Sequence, residues 1–255
     1  MTLAARHKRP ASPDPLLLPA LGEAAVFLDF DGTLVDLAET PDGIHVPADL
    51  SALLTRLHER TGGATALISG RKVSDLDRFL PDFPGDVVGS HGAERRIGGR
   101  FERHSAADGP ELEAVKTAAR GWAEAHPGVL VEDKPVSIVL HFRQAPELLK
   151  PAEEEMAALV TAHEGFVLHH AKMALELHPE GVSKGAAVAA LLDETFAGRT
   201  PFAAGDDRTD EAMMEEAISR GGLALKVGDG DSAATLYLDT PSEFRALLGA
   251  WLERT

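Results

Sequence analysis

Two acidic clusters stand out in the sequence, and each follows a short apolar run. The first is Asp29-Phe30-Asp31-Gly32-Thr33, and the second is Gly205-Asp206-Asp207-Arg208-Thr209-Asp210-Glu211. Such runs are typical of buried parallel strands, and ligands of open α/β sheets bind beyond the carboxyl ends of those strands. Carboxylates gathered there repel one another unless a hard cation lies between them. The pattern predicts a magnesium site for phosphoryl chemistry.

The first cluster has the groups needed for covalent catalysis. One carboxylate of the Asp29 and Asp31 pair could attack phosphorus, and the other could protonate the leaving oxygen and then activate water. Gly32 permits the sharp turn that would direct both side chains into the crevice. The alternative is a solvated Asp-Gly turn, which we disfavour because acidic pairs seldom end a buried strand without a function.

The composition limits the possible partners. The chain has 255 residues, 41 acidic and 25 basic side chains and a formal net charge of −16, which argues against nucleic acid or an anionic membrane as partner. The absence of Cys excludes thiol catalysis, disulfides and zinc-thiolate sites. No apolar stretch approaches the ~18 residues of a membrane span, and the patch at 16–18 is too short for a signal peptide. We expect a cytoplasmic, monomeric enzyme with a small-molecule substrate.

Apolar periodicity divides the chain into four stretches. Residues 1–20 contain four prolines and are predicted to form a flexible N-terminal segment. Strands and helices alternate through 21–106 and again through 179–255. Pro47 suits the start of the first helix, and the last helix opens with the capping box Thr240-Pro241-Ser242-Glu243. Between them, 107–178 read as two helices and four closely spaced strands. The expected fold is α/β, a Rossmann-like parallel sheet with helices on both faces and an inserted α+β domain with an antiparallel sheet.

The first cluster resembles the first motif of the haloacid dehalogenase-like phosphatases. That resemblance implies that Asp29 is the nucleophile, that Asp31 is the general acid and base, and that Asp29 and the backbone carbonyl of Asp31 bind Mg²⁺. Three further positions match in order: Ser69 as the hydroxyl that holds the phosphoryl group, Lys184 as the lysine that neutralises nucleophile and phosphate, and Asp206 as the third metal carboxylate.

Other interpretations of these positions remain open from the residues alone. An isolated Ser69 or Lys184 could be a helix cap or a solvated charge, and the second acidic cluster could be a structural loop without a metal. Asp207 and Asp210 are expected to support the metal ligands from behind or to cap the following helix.

A narrower resemblance, to trehalose-6-phosphate phosphatases, covers residues 24–238. It is carried by Ser69-Gly70-Arg71, by His91-Gly92-Ala93-Glu94 and by the Thr209 form of the second acidic cluster. It implies that Arg71, His91 and Glu94 bind substrate and that the inserted domain is a cap that determines specificity. The cap positions that fall where this family keeps its substrate residues are Glu132, Lys134, Ser137, His141, Arg143, Lys172 and Glu176.

These cap residues suit a sugar. Ser137, His141 and Arg143 share one face of a strand by alternation, and Glu176 lies on the polar face opposite its apolar neighbours. Sugar hydroxyls require carboxylate acceptors and cationic donors in a desolvated pocket. Taken singly, each is an ordinary surface charge, and His141 could be a hydrogen-bonded sheet residue.

The residues predict Mg²⁺-dependent phosphoryl chemistry, and the two resemblances imply a phosphatase that converts trehalose 6-phosphate to trehalose and phosphate through an aspartyl-phosphate. Two alternatives stay open. One is a related cap-bearing phosphatase acting on sucrose phosphate, mannosyl-phosphoglycerate or a hexose phosphate. The other is a catalytically silent domain that senses sugar phosphates, which the presence of all five catalytic positions disfavours.

Overall fold

The computed structural model describes residues 13–38, 40, 42–105, 109–171 and 173–254. They form two compact units. The first comprises the described residues of Met1–Phe101 and Ser183–Thr255, and the second is formed by Glu102–Val182. None of the described helices is both long and apolar enough to cross a bilayer.

Strands and helices alternate in the first unit and cluster in the second. The strands are β1 Ala24–Leu28, β2 Thr65–Ile68, β3 Asp86–Gly89, β4 Glu94–Ile97, β5 Arg100–Arg103, β6 Leu130–Asp133, β7 Ile138–His141, β8 Phe166–Ala171, β9 Ala174–Pro179, β10 Thr200–Gly205, β11 Leu223–Val227 and β12 Leu236–Leu238. The helices are α1 Leu50–Arg60, α2 Val73–Phe79, α3 Pro110–Glu124, α4 Leu149–Ala162, α5 Lys184–Glu194, α6 Glu211–Ser219 and α7 Pro241–Leu252.

The first unit is built on an eight-stranded sheet in the order β12-β11-β10-β1-β2-β3-β4-β5. Its strands from β12 to β3 are parallel, and β4 runs antiparallel to β3. Because β1 lies between β10 and β2, the carboxyl ends of these three strands meet at the point where the strand order reverses, the usual ligand position in such sheets. Asp29, Ser69 and Asp206 each follow one of these ends.

Strand alternation gives this sheet two apolar faces. Val26 and Leu28 point into a core formed with α1, α2 and α7, whereas Ala25 and Phe27 point into a second core formed with α5 and α6. All five residues of β1 are buried, as expected for a central parallel strand covered on both sides. The central strands are thereby fixed by packing on both faces.

The second unit is a four-stranded antiparallel sheet in the order β6-β7-β9-β8. One of its faces, formed by Ile138, Leu140, Leu175 and Leu177, packs with α3 and α4 in a single apolar cluster. The alternate positions of β7 and β9 therefore lie on the opposite, more polar face.

The predicted fold class is confirmed: a largely parallel core sheet with helices on both faces, and a separate antiparallel sheet. Strands β4, β5 and β12 were not predicted. β4 and β5 are joined by Gly98 and Gly99, both with positive φ. The two strands are rich in arginine and have no apolar pattern from which a strand could be predicted. Pro47 precedes α1 by three residues rather than opening it, and its carbonyl accepts a hydrogen bond from Leu50.

The described part of the N-terminal segment contacts α7, which the prediction of a flexible lead-in does not foresee. The Trp251 indole donates to the Pro19 carbonyl at 3.0 Å, and Arg254 donates to the carbonyls of Pro15 and Leu18 at 2.6 and 2.8 Å. Leu18 is buried. Residues 1–12 lie outside the described part of the chain.

The capping box of α7 is expected to stabilise the first unit measurably. The Thr240 hydroxyl accepts from the Glu243 amide, and the Glu243 carboxylate accepts from the Thr240 amide, both at 3.2 Å. Thr240→Ala should lower the free energy of unfolding by about 1 kcal/mol, measured by urea unfolding, because it leaves a helix donor without its partner. Ser242→Ala, at an exposed position of the same turn, is the matched control. Equal stability of the two variants would contradict the capping role.

Candidate active site

Asp29 opens a tight turn at the carboxyl end of β1. Its amide continues the sheet by donating to the Ala204 carbonyl at 2.9 Å, and its side chain is buried. The turn closes where the Gly32 amide donates to the Val35 carbonyl at 2.8 Å. The Thr33 hydroxyl donates to the Asp29 carboxylate at 3.1 Å, which orients that carboxylate from within the turn.

Gly32 is the point at which the second acidic cluster reaches the first. Its φ is +74°, and a Cβ placed on it would lie 2.1 Å from the Asp206 Oδ2 atom. Only glycine therefore allows the Asp206 carboxylate to lie against the turn, and it also adopts the positive φ without strain. The Thr33 hydroxyl lies 3.5 Å from the Asp206 carboxylate as well, so that it is flanked by both acidic groups.

Lys184 lies between two buried carboxylates. Its ammonium donates to Asp29 at 2.7 Å and to Asp210 at 2.5 Å. Burial acts to lower the pKa of Lys184, but the charges of Asp29 and Asp210 outweigh it and hold that pKa above its ordinary value. Burial raises the pKa of Asp29, with the ammonium opposing. Lys184 thus stays charged and neutralises part of the acidic cluster.

Local sequence around α5 brings Lys184 to this position. Ser183 caps the helix by accepting from the Ala186 amide at 3.0 Å, so Lys184 is its first residue. A Cβ on Gly185 would lie 2.7 Å from the Ala212 carbonyl oxygen of α6. This glycine permits the close approach of α5 to α6, at whose start Asp210 lies.

Asp210 organises the loop after β10. One of its carboxylate oxygens accepts from the amides of Asp206 and Asp207 at 2.9 and 3.0 Å, and the other binds Lys184. Asp207 accepts from the amide and hydroxyl of Thr209, both at 2.7 Å, and so shapes the same loop. Asp207 and Asp210, predicted to support the metal ligands or to cap the following helix, thus bind backbone amides of the loop. Asp210 also contacts Lys184 directly.

Three carboxylates form a group that could hold a cation. Single oxygens of Asp29, Asp206 and Asp210 all lie within 4.8 Å of one another. Burial, followed by the charges of Asp210 and Asp207, raises the pKa of Asp206 to about 6. Hard oxygen donors with uncompensated charge suit Mg²⁺. Both oxygens of Asp210 accept hydrogen bonds, from Lys184 and from the amides of Asp206 and Asp207. Both oxygens of Asp29 also accept, from Lys184 and Thr33, so a cation would share the oxygens of either residue with their present donors.

The Asp31 carboxylate binds Arg71. Both of its oxygens accept from the guanidinium, at 2.6 and 2.7 Å. The guanidinium carbon also lies 5.1 Å from the ring centre of Phe79, a cation–π contact that helps to fix it. Arg71, which the resemblance assigns to the substrate, is therefore positioned to orient the Asp31 carboxylate.

The remaining predicted residues of the first unit form one backbone network. Ser69 is buried, and its hydroxyl accepts from the Arg71 amide at 3.2 Å. The Ser90 amide donates to the Arg71 carbonyl and the His91 amide to the Ser69 carbonyl, at 2.7 and 3.0 Å. Ser90 and His91 both have positive φ, 50° and 55°, a costly conformation that the network stabilises. A Cβ on Gly70 would lie 2.7 Å from the His91 imidazole, so these two loops are in close contact.

Glu94 lies behind this network. It is buried, and its carboxylate accepts from the Val73 amide, the first of α2, at 3.0 Å. An acidic group there satisfies a free helix donor and interacts favourably with the helix dipole. The structure therefore gives Glu94, predicted as a substrate ligand, a contact that fixes the start of α2.

In the second unit, most of the predicted cap residues form one polar cluster. The Ser137 hydroxyl donates to Glu176 at 2.7 Å, and the Lys134 ammonium lies 3.6 Å from Glu176 and 3.9 Å from Glu132. The His141 imidazole lies 3.0 Å from the Glu132 carboxylate. Together these residues present both donors and acceptors on the face opposite α3 and α4.

Arg143 is the remaining predicted cap residue among those that the structure describes. Arg143 is exposed and follows the end of β7. Lys172 lies outside the described residues.

Sequence reasoning gave no role to Thr33 or Lys226. Thr33 is within the first motif but its contact with Asp29 depends on the turn geometry. Lys226 is a buried lysine in β11 whose ammonium donates to the Asp206 carbonyl. A charged residue inside the apolar run Leu223-Ala224-Leu225-Lys226-Val227 was the available signal for it.

Comparison with known proteins agrees with this geometry. The family model described as trehalose-phosphatase matches residues 27–242. A probable trehalose-phosphate phosphatase of Sinorhizobium fredii (strain NBRC 101917 / NGR234) is 41% identical over 225 residues, 86% of this chain and 83% of that protein. A trehalose-6-phosphate phosphatase of Escherichia coli (strain K12) is 34% identical over 216 residues, 84% and 81% of the two chains.

A solved structure of a trehalose-6-phosphate phosphatase related protein is similar as well. It has a TM-score of 0.58 and 28% identity, and the match covers 89% of this chain and 96% of that one. The family model, the relatives and the fold agree, and the chain belongs to the trehalose-phosphatase family of phosphoric monoester hydrolases.

Proposed function

We propose that this chain hydrolyses trehalose 6-phosphate to trehalose and inorganic phosphate through an aspartyl-phosphate, with Mg²⁺ as cofactor. The observation that carries the proposal is the buried Lys184 ammonium held between Asp29 and Asp210, beside Asp206, at the carboxyl end of β1. Family membership supports the substrate. A cytoplasmic, monomeric enzyme is part of the same proposal.

In the first step, an oxygen of Asp29 forms a bond to phosphorus, and the bond from phosphorus to the sugar oxygen breaks. Asp31 gives its proton to that leaving oxygen, which departs as the sugar hydroxyl. Lys184 and the Ser69 hydroxyl bind the phosphoryl oxygens. Because Asp31 binds Arg71 in the structure, this step also requires that Asp31 acquire a proton while leaving or sharing that pair.

In the second step, Asp31 removes a proton from water, whose oxygen attacks phosphorus and releases Asp29 together with phosphate. The Arg71 guanidinium, which donates to both Asp31 oxygens, orients the carboxylate that takes this proton. Mg²⁺, held by the carboxylates of Asp29 and Asp206 and the backbone carbonyl of Asp31, would supply charge neutralisation at the phosphoryl oxygens. Lys226 keeps the backbone of Asp206 in place.

Sugar recognition is assigned to the polar face of the second unit. Glu132 and Glu176 can accept hydrogen bonds from sugar hydroxyls, whereas Lys134, Ser137 and His141 can donate them. Leaving one such partner unmatched costs about 1–3 kcal/mol, which is enough to distinguish one disaccharide from another.

The substrate is tested by phosphate release across a panel of sugar phosphates. We expect trehalose 6-phosphate to exceed sucrose 6-phosphate, mannosyl-3-phosphoglycerate and glucose 6-phosphate by at least about tenfold in kcat/KM, the value of one well-placed hydrogen bond. A different preferred member would favour the related cap-bearing phosphatases. Binding of a sugar phosphate without any turnover would instead favour the silent sensing domain.

Asp29→Asn should abolish turnover and leave the fold intact, because an amide is not able to attack phosphorus. Circular dichroism should match the wild type, and acid quench of wild-type enzyme with ³²P-labelled substrate should trap a hydroxylamine-labile phosphoryl group on Asp29. Asp82→Asn, at an exposed position, is the matched control and should be fully active. Substantial turnover by a clean Asp29→Asn preparation would exclude covalent catalysis at this residue.

Binding of Mg²⁺ should weaken as the pH falls through about 6, the pKa of Asp206 in the metal-free protein. Below that pKa the carboxyl holds a proton that the cation must displace, so affinity should decrease by up to about tenfold per pH unit. Calorimetry in two buffers of different ionisation enthalpy should detect proton release near pH 5.5 and almost none at pH 8. Affinity that does not change between pH 5 and 7 would remove Asp206 from the ligand set.

A further inference from the structure

Lys116 lies on the buried side of α3, in the second unit. Its neighbours at helical spacing, Leu112, Val115 and Ala119, belong to the apolar cluster under the antiparallel sheet, and Lys116 itself is only 4% exposed. Burying an ammonium is unfavourable unless it is paired and hydrogen-bonded. A lysine on the apolar side of a helix therefore requires hydrogen-bond acceptors for its ammonium.

All three hydrogen-bond partners of this ammonium belong to one turn. Lys116 donates to the Asp133 carboxylate at 2.8 Å, to the Lys134 carbonyl, and to the Pro135 carbonyl at 3.3 Å. Asp133 ends β6, and the turn is closed where the Lys134 amide donates to the Ser137 carbonyl at 3.0 Å. These three oxygens match the three hydrogens of the ammonium, so Lys116 fixes the β6–β7 turn from its buried side.

The same turn carries two members of the polar cluster. The Lys134 side chain reaches Glu176 and Glu132, and the Ser137 hydroxyl donates to Glu176. Lys116 thus binds the backbone carbonyl of Lys134, the same residue whose side-chain ammonium lies between Glu132 and Glu176. Displacing the turn would move Lys134 and Ser137 relative to Glu176 without changing any group on the polar face.

We propose that Lys116 is a positioning residue for substrate recognition, whose ammonium fixes the 134–137 turn so that Lys134 and Ser137 meet Glu176 in the geometry that binds the sugar. This rests on the proposed function, in which the polar face of the second unit binds the sugar part of the substrate.

Arg120 offers a matched comparison within the same helix. It also binds the Asp133 carboxylate, but from the exposed side, where about a third of its side chain is in contact with water. It reaches neither of the two carbonyls in the turn that bind Lys116. Exposed ion pairs contribute little, whereas removal of a buried partner leaves oxygens without a donor. The two residues should therefore differ sharply when each loses its charge.

The test compares Lys116→Met, which keeps the length of the side chain and removes the ammonium, with Arg120→Gln. For Lys116→Met, kcat/KM for trehalose 6-phosphate should fall by about five- to 150-fold, mainly through KM, with p-nitrophenyl phosphate changed less than about twofold. The Lys134 amide should exchange faster with solvent in this variant than in wild type. Arg120→Gln should change neither rate nor exchange, and Lys116→Arg should recover part of the loss.

Parallel loss of both substrates by Lys116→Met would overturn the proposal, because it would show a general structural role, and so would full retention of trehalose 6-phosphate activity. Should Lys116→Met fail to fold, Asp133→Ala serves instead, since Asp133 is substantially exposed and alanine offers Lys116 no side-chain acceptor. Selective loss of trehalose 6-phosphate activity supports the proposal, and either no loss or parallel loss of both substrates overturns it. A wild type that hydrolyses only other esters would overturn the proposed function itself, which the wild-type panel reveals before any variant is made.

Discussion

The ion pair of Lys184 with Asp29 and Asp210 is the interaction on which the site depends. Without the ammonium, carboxylates from two different strand ends would be buried together with nothing of opposite charge between them. Lys184 places one positive charge between these two carboxylates, and the pKa of Asp206 stays raised to about 6. The acidic cluster is thus partly neutralised by Lys184, and its remaining negative charge on oxygen donors suits a divalent cation.

Close backbone approach makes this arrangement possible. Glycine at 32 lets the Asp206 carboxylate lie against the first turn, glycine at 185 lets α5 approach α6, and glycine at 205 leaves room for Asp210. A Cβ at any of these positions would lie within 3 Å of Asp206, Ala212 or Asp210 and would force those groups to shift. The arrangement of the charged cluster therefore depends on these three glycines as well as on the acidic residues.

The sequence was sufficient for those features that depend on strand order. Asp29, Ser69 and Asp206 follow apolar runs, and parallel strands bring such ends together. It was not sufficient for features that depend on which partner a long side chain reaches. Arg71 pairs with Asp31, and Glu94 binds the first amide of α2, because of loop contacts between Ser90, His91 and the 69–71 segment that no periodicity encodes. The roles of the cap residues are likewise beyond what spacing can decide.

The buried lysines among the described residues all bind oxygens of loops or turns. Lys116, Lys184 and Lys226 are each nearly inaccessible to water, and each donates to oxygens of a loop or turn that follows a strand. A buried ammonium fixes the oxygens that it binds more firmly than an exposed ion pair does, since little water competes for them. Two of the three loops carry the acidic cluster of Asp29, Asp206 and Asp210, and the third carries Lys134. Buried cations are thus used where loop position, rather than overall stability, must be exact to within a hydrogen bond.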